Sequence, residues 1–211
     1  MLNIADRGAD DIDTETVLYF VRHAHSKYEH GRELERGLSD SGKAEAMAAC
    51  RRLEKEKIEV FVSSPYQRAV ETLAPLAEYA AKTIKLYDAL HERLVSGEQD
   101  LGPERFAEAK RRCYEDPDYC PPGGESSRQA RSRALPVIGQ LLREHAGKRI
   151  AVGTHGDVLT LMLGSWDPQY DYSFWQQLSM PDVYRVRFDG MAFAGAERIR
   201  YNSSVSLERG D

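Results

Sequence analysis

The segment Arg22-His23-Ala24-His25-Ser26 closes an apolar run, and its residue types allow two chemistries. Two histidines one residue apart can ligate a metal. Alternatively, the arginine and one histidine can grip and attack a phosphate, with His25 serving another purpose. Three further segments carry reactive side chains: Ser63-Ser64-Pro65 with Arg68, His91-Glu92-Arg93, and His155-Gly156-Asp157. Arginine has a permanent charge and forked N–H donors matched to phosphate oxygens. A neutral imidazole can attack phosphorus while such cations stabilise the equatorial oxygens. A glutamate can protonate the leaving oxygen and then deprotonate the attacking water. That set needs no metal. The metal reading needs a carboxylate and one or two more histidines near the His-x-His. His30, His91, His145 and His155 are present, but no His-x-x-x-Asp-His cluster is.

These residues can act together only if the fold brings them to one place. "TVLYFVR" (16–22), "IEVFVSS" (58–64), "TIKLYDAL" (83–90) and "KRIAVGTH" (148–155) read as buried strands. Helical patterns alternate with them. One starts at a Ser39 or Ser41 cap, with an apolar stripe of Ala44, Met47, Ala48 and Leu53. A second opens at Pro65 in the favoured first position and is kinked or divided at Pro75. A third runs from about Ser126 to His145, and "DVLTLMLGSW" is a fourth. "DVYRVRFDG" and "AERIRYN" are two closing strands joined by a turn. The alternation predicts an α/β fold with a mainly parallel sheet and covering helices. In such folds ligands bind beyond the carboxyl ends of the strands, where all four reactive segments fall.

The bulk properties fit one domain. A 211-residue chain with 41% hydrophobic and 30% charged residues is ordinary for a globular protein. Residues 1–15 are expected to be an acidic flexible tail, with 16–211 a single domain. Asp6, Asp10, Asp11, Asp13 and Glu15 against Arg7 leave −4 of the chain's formal −5 in that tail. The remainder is near neutral, which argues against a nucleic-acid partner. No run is long enough for a membrane span, and no signal-peptide pattern opens the chain. Cys50, Cys113 and Cys120 are an odd set that fits neither a zinc ribbon nor a disulfide framework. Reduced thiols and a cytoplasmic location are expected. The irregular stretch 91–124, with its "DPDYCPPGGES" loop, is the candidate insertion that caps a site.

"FVRHAHS", "VSSPYQRAVET", "HER", "PPGGES" and "VGTHGD" together resemble the histidine phosphatase superfamily, which includes the cofactor-dependent phosphoglycerate mutases. The resemblance runs from about Val17 to Gly190, and "LSDSG" is similar to the start of the family's first helix. It implies a three-layer α/β/α, phosphoglycerate mutase-like fold and a phosphoenzyme mechanism without metal or cofactor. Arg22, Arg68 and His155 would bind the phosphoryl group, His23 would carry it, and Glu92 would be the acid/base. Ser26, Gly156 and His25 complete the expected substrate-binding set.

Several positions depart from the family pattern. Ala24 replaces the usual glycine, and His25 stands where relatives have Glu or Gln. Strand alternation would put His25 on the same side as His23, as a rim group. Glu29 replaces an asparagine and, as a carboxylate near a phosphate site, must point away or alter which leaving groups are accepted. Asp157 is a rival proton donor to Glu92, but is read as an anionic residue in the first turn of a helix. Trp166, Tyr170, Tyr172, Phe174 and Trp175 are read as packing rather than pocket.

The expected function is a metal-independent phosphomonoesterase acting on a phosphorylated small molecule. Phosphoglycerate mutase-type transfer and a protein phosphatase are the alternatives, and a dead phosphate-binding scaffold is disfavoured by the full catalytic set. "HERLVSGEQDLG" lacks the Tyr-Gly pair that follows the glutamate in mutases. A homodimer is allowed, and the substrate's alcohol stays open.

Overall fold

The computed structural model describes residues 15–29, 31–97 and 101–200. Residues 1–14 of the acidic tail, and the end of the chain from 201, lie outside the described residues. Glu15, the last residue assigned to that tail, is already in the first strand.

In chain order the elements are β1 (Glu15–Arg22), α1 (Asp40–Leu53), β2 (Val60–Ser63), α2 (Gln67–Tyr79), β3 (Ile84–Leu86) and α3 (Gly102–Glu115). There follow α4 (Ser127–Glu144), β4 (Arg149–Thr154), α5 (Gly156–Leu163), α6 (Tyr172–Gln176), β5 (Asp182–Asp189) and β6 (Ala192–Arg198). The sheet order is β3-β2-β4-β1-β5-β6. The first four strands are mutually parallel, and β5 and β6 add an antiparallel edge.

The sheet is covered on both faces, which is why its strands are nearly continuous apolar runs. Leu18 and Phe20 of β1 pack with Ile138 and Leu141 of α4 and Leu159 and Met162 of α5. Val17, Tyr19 and Val21 face the other way, onto Cys50 and Leu53 of α1 and Leu73 and Leu76 of α2. The fold is thus a three-layer α/β/α sandwich with a mostly parallel centre. No helix among the described residues is long and apolar enough to cross a membrane.

Local detail departs from the sequence expectation in five places. Helix α1 buries Gly42, Ala46, Ala48, Ala49, Cys50 and Leu53, whereas Ala44 and Met47 of the expected stripe are exposed. Ala48 and Leu53 of that stripe are buried, and the rest of the contact face is set by Gly42, Ala46, Ala49 and Cys50, small residues that let α1 approach its neighbours. Pro65 does not start α2; it precedes the Tyr66 cap, and the Ser64 hydroxyl accepts from Tyr66 N instead. Pro75 leaves α2 undivided from Gln67 to Tyr79. Strand β3 stops at Leu86, and a 3-10 turn (Asp88–Leu90) replaces its expected second half. Strand β6 begins at Ala192, earlier than expected, because the turn falls at Gly190 with φ +56°.

Candidate active site

The sheet register builds the site. Arg22 pairs with Thr154 across β1 and β4, and Ser63 pairs with Gly153 across β2 and β4. The next residues of three parallel strands, His23, Ser64 and His155, therefore emerge side by side at the carboxyl edge. The rings of His23 and His155 lie 5.3 Å apart between centroids. Both are buried.

His23 Nδ1 sits 2.8 Å from the carbonyl oxygen of Ala24. A carbonyl can only accept, so Nδ1 carries the proton and Nε2 is left with its lone pair. Burial, reinforced by the Arg68 charge, pushes the His23 pKa well below its ordinary value. The ring is therefore neutral, with a lone pair on Nε2 that could act as a nucleophile. His155 Nε2 shares a 2.8 Å hydrogen bond with the Ser64 hydroxyl, and its buried Nδ1 has no partner among the described residues. Burial, then His23 and Arg68, hold this second ring well below its ordinary pKa as well.

Three arginines surround the rings. Arg22 donates from Nη1 to the carbonyls of Leu178 and Ser179, at 3.0 Å each, and its buried Nε has no partner among the described residues. A side chain at Gly156 would come within 3.2 Å of Arg22 Nε, so glycine leaves room for that guanidinium. Arg68, 1% exposed, packs over the Tyr66 ring at 4.8 Å and donates from Nη1 to the Glu33 carbonyl at 2.7 Å. Its Nη2 is 3.0 Å from Glu33 Oε2, and its Nε is buried without a partner. Burial and the neighbouring Arg36 charge lower the Arg68 pKa. Arg36 is the third cation: it donates to the Ser26 hydroxyl at 2.8 Å and to Glu33 Oε2 at 3.1 Å. Its charge also acts on both histidines.

Glu92 is not delivered by a strand end, since β3 stops six residues earlier. It is held by the N-terminus of α5. Its carboxylate accepts from Asp157 N and Val158 N at 3.2 Å each, and from Arg93 N at 2.9 Å. Two N–H groups that the helix leaves unpaired are satisfied from a residue 65 positions away. Arg133 of α4 steadies the approach to Glu92 by donating to the carbonyls of Ala89 (2.7 Å) and His91 (2.9 Å).

The remaining expected residues divide. Ser26 is buried and reaches the site through Arg36. His25 is exposed, and its Nδ1 lies 2.8 Å from the hydroxyl of Ser39, the cap of α1. Strand alternation does not reach it, because β1 ends at Arg22. The His-x-His pair is therefore split between two surroundings. Glu29 turns to Arg32 at 3.1 Å, both exposed, so the carboxylate standing against the arginines is Glu33 and not Glu29.

Asp157 lies in the first turn of α5, as the sequence suggested, with its side chain turned into a charge cluster. It is fully buried, with Arg93 Nε at 3.1 Å, Arg93 Nη2 at 3.0 Å, the Tyr114 hydroxyl at 2.8 Å and the Lys110 ammonium against the same carboxylate. Burial alone would raise its pKa, but Lys110 and Arg93 outweigh that and hold it below the ordinary value. Lys110 and Tyr114 both belong to α3, so this cluster ties α3 to the helix that holds Glu92. Among the aromatics, Trp166 packs on Phe188 and Phe193, and Phe174 on Tyr184, as packing groups. Trp175 differs, since the Lys110 ammonium lies 4.6 Å from its ring centre. Cys50, Cys113 and Cys120 are all free.

The sequence reading missed Arg36, Glu33, Tyr66, Lys110 and Tyr114. Only Tyr66 lay inside a quoted motif; the others carry no spacing signal that marks them.

The family model for the histidine phosphatase superfamily (branch 1) matches residues 18–194. The chain is 32% identical over 167 residues to a metal-independent phosphoserine phosphatase of Arabidopsis thaliana, covering 72% of this chain and 70% of the relative. It is also 32% identical over 198 residues to a 2,3-bisphosphoglycerate-dependent phosphoglycerate mutase of Methylobacterium radiotolerans, covering 83% of this chain and 92% of that one. Among solved structures, a mycobacterial glucosyl-3-phosphoglycerate phosphatase superposes with a TM-score of 0.70 at 20% identity, covering 87% of this chain and 97% of the other. At that identity the likeness is one of fold.

Proposed function

The chain belongs to the histidine phosphatase superfamily, and from that membership we propose that it hydrolyses small phosphomonoesters through a phosphohistidine on His23, without a metal. The observation that carries this reading is the fixed tautomer of His23: the Ala24 carbonyl holds the proton on Nδ1 and leaves Nε2 free to attack. Nε2 forms the N–P bond as the ester P–O bond breaks, and the Glu92 carboxyl gives its proton to the leaving oxygen. Glu92 then takes a proton from water, whose oxygen displaces the phosphoryl group from Nε2 as inorganic phosphate.

Arg22 and Arg68 each keep a buried, unpartnered Nε, and His155 a buried, unpartnered Nδ1; these suit the equatorial oxygens. Helix α3 serves in this reading as a cap over the leaving-group side, anchored through Lys110 and Tyr114. Similarity to phosphatases of phosphoserine and of glucosyl-3-phosphoglycerate supports a small substrate. Three free thiols suit the reducing cytoplasm.

His23→Ala should reduce hydrolysis of an aryl phosphate by about 10⁴-fold or more and remove the acid-labile phosphoenzyme, as loss of a nucleophile does elsewhere. Wild-type turnover should persist in excess chelator. Retained activity in His23→Ala rejects the reading. The mutase-named relatives support a second reading, phosphoryl transfer between two hydroxyls of one substrate. Turnover of a monophosphoglycerate primed by the bisphosphate would favour it; hydrolysis without isomerisation is the expected result.

A further inference from the structure

We propose that Glu33 is a resident anion of the phosphoryl pocket: its carboxylate occupies Arg36 and Arg68 when the pocket is empty, yields them to the substrate, and returns to expel the product phosphate. The inference rests on the reading above, in which Arg68 binds the phosphoryl group.

Glu33 Oε2 is 3.0 Å from Arg68 Nη2 and 3.1 Å from Arg36 Nη2, so one carboxylate oxygen bridges two cations. Those same two cations act electrostatically on the rings of His23 and His155. The arginines are enclosed, at 1% and 13% side-chain exposure, while the Glu33 side chain is 30% exposed. The anion can therefore leave into water while its partners stay in place. Both guanidinium groups retain a buried Nε without a partner among the described residues, so Glu33 does not exhaust their donors. A phosphoryl group offers three acceptor oxygens and up to two charges where a carboxylate offers two oxygens and one. It can displace Glu33 and still fill the donors that Glu33 leaves unused.

A pocket of three arginines and two enclosed rings would otherwise hold inorganic phosphate tightly and release it slowly. An anion tethered to the loop beside it lowers the affinity for every competing anion by the fraction of time it occupies the arginines. That penalty falls on product as well as substrate, but the substrate's leaving group makes further contacts and inorganic phosphate does not. Glu33 thereby selects against bare anions.

The test is calorimetric titration of inorganic phosphate into the intact protein and into Glu33→Gln, Glu33→Ala and Glu35→Gln. Glu35 is the control: it carries the same charge two residues on, but among the described residues its carboxylate bonds to Arg32, at 3.2–3.3 Å, and is exposed. Both Glu33 variants should bind phosphate about tenfold more tightly, the gain expected if Glu33 holds the arginines nine-tenths of the time. Glu35→Gln should stay within about twofold, the range expected of a screened surface charge. The phosphate inhibition constant should fall in parallel. Unchanged or weaker binding in the Glu33 variants overturns the inference and makes Glu33 a fixed strut for Arg68. A different result marks failure of the underlying reading: phosphate that does not compete with aryl phosphate in the wild type would show that this pocket is not the phosphoryl site, and the inference falls with it.

Discussion

Asp157 and Glu33 each hold an arginine of the site, at opposite extremes of access to water. Asp157 is wholly buried and contacts Arg93, Lys110 and Tyr114; Glu33 is 30% exposed and bridges Arg36 and Arg68. Both pairs look alike as hydrogen bonds. The energy of separating them does not. Removing one partner from a wholly buried pair strands a desolvated charge, whereas a carboxylate that is 30% exposed can be hydrated as it leaves, at a lower cost. Burial therefore makes Asp157 part of the framework and leaves Glu33 free to be exchanged.

The largest effect expected from this contrast is on stability. Asp157→Ala leaves Arg93 and Lys110 buried without a counter-charge and should cost about 3–5 kcal/mol, or roughly 10 °C in the melting temperature of a chain this size. Glu33→Ala should cost less, about 1–2 kcal/mol, since its own carboxylate is partly solvated although Arg68, 1% exposed, loses a charged partner. Thermal melts of the two variants beside the wild type make the comparison directly. Equal losses would break it, because Glu33 would then also be framework.

What could be read from the sequence follows the same division. The edge residues Arg22, His23 and His155 were legible because parallel strands align their carboxyl ends, and each lies at or one residue beyond such an end. Arg68 was legible from its place in the first turn of a helix behind a Ser-Ser-Pro stop. Glu92 was found by motif, but its support was not. The α5 N-terminus that holds it is 65 residues away, and no local pattern records that pairing. Asp157 was legible as a helix-start anion, and it does open α5, but its buried pairing was not, because its partner Lys110, 47 residues distant, sits on a helix dominated by exposed charges. Attention fell on Glu29 rather than Glu33 because the loop between them has turns and no period. Only coordinates decide which of its carboxylates faces inward. Layers and strand ends are periodic and readable; tertiary charge pairs are neither.

A smaller effect tests whether the Asp157 cluster serves Glu92. Lys110→Met removes one of three partners and leaves Arg93 and Tyr114 on the carboxylate. The expected loss is about 1–2 kcal/mol, that of a hydrogen bond to a charged group with substitutes at hand. Asp157 N and Val158 N hold the Glu92 carboxylate, so a loosened α5 start should misplace the proton donor proposed here. Turnover of a poor alkyl leaving group should then drop by about three- to tenfold, while an activated aryl phosphate, which needs little protonation, is spared. Equal losses on both esters would mean that Lys110 acts on the phosphoryl group itself. The Glu33 variants should show no such dependence on leaving group.

The smallest effect separates the two regions by pH. His23 and His155 are held neutral by burial, with pKa values well below the model-peptide 6.5. The unfolded chain therefore binds protons at these positions first as pH falls, and stability drops below pH 6.5. Each histidine should cost on the order of 1 kcal/mol by pH 6, from the share of protonated imidazole in the unfolded state. Asp157 has the opposite sign. Its folded pKa lies below 3.8, so its contribution is present throughout that range and is lost only as pH falls through the folded value. Denaturant midpoints of the wild type and Asp157→Ala, measured from pH 7.5 to 5, should fall in parallel, with a constant gap between them. A gap that closes before pH 5 would show that the Asp157 cluster titrates with the histidines, and the framework would then share its proton chemistry with the site.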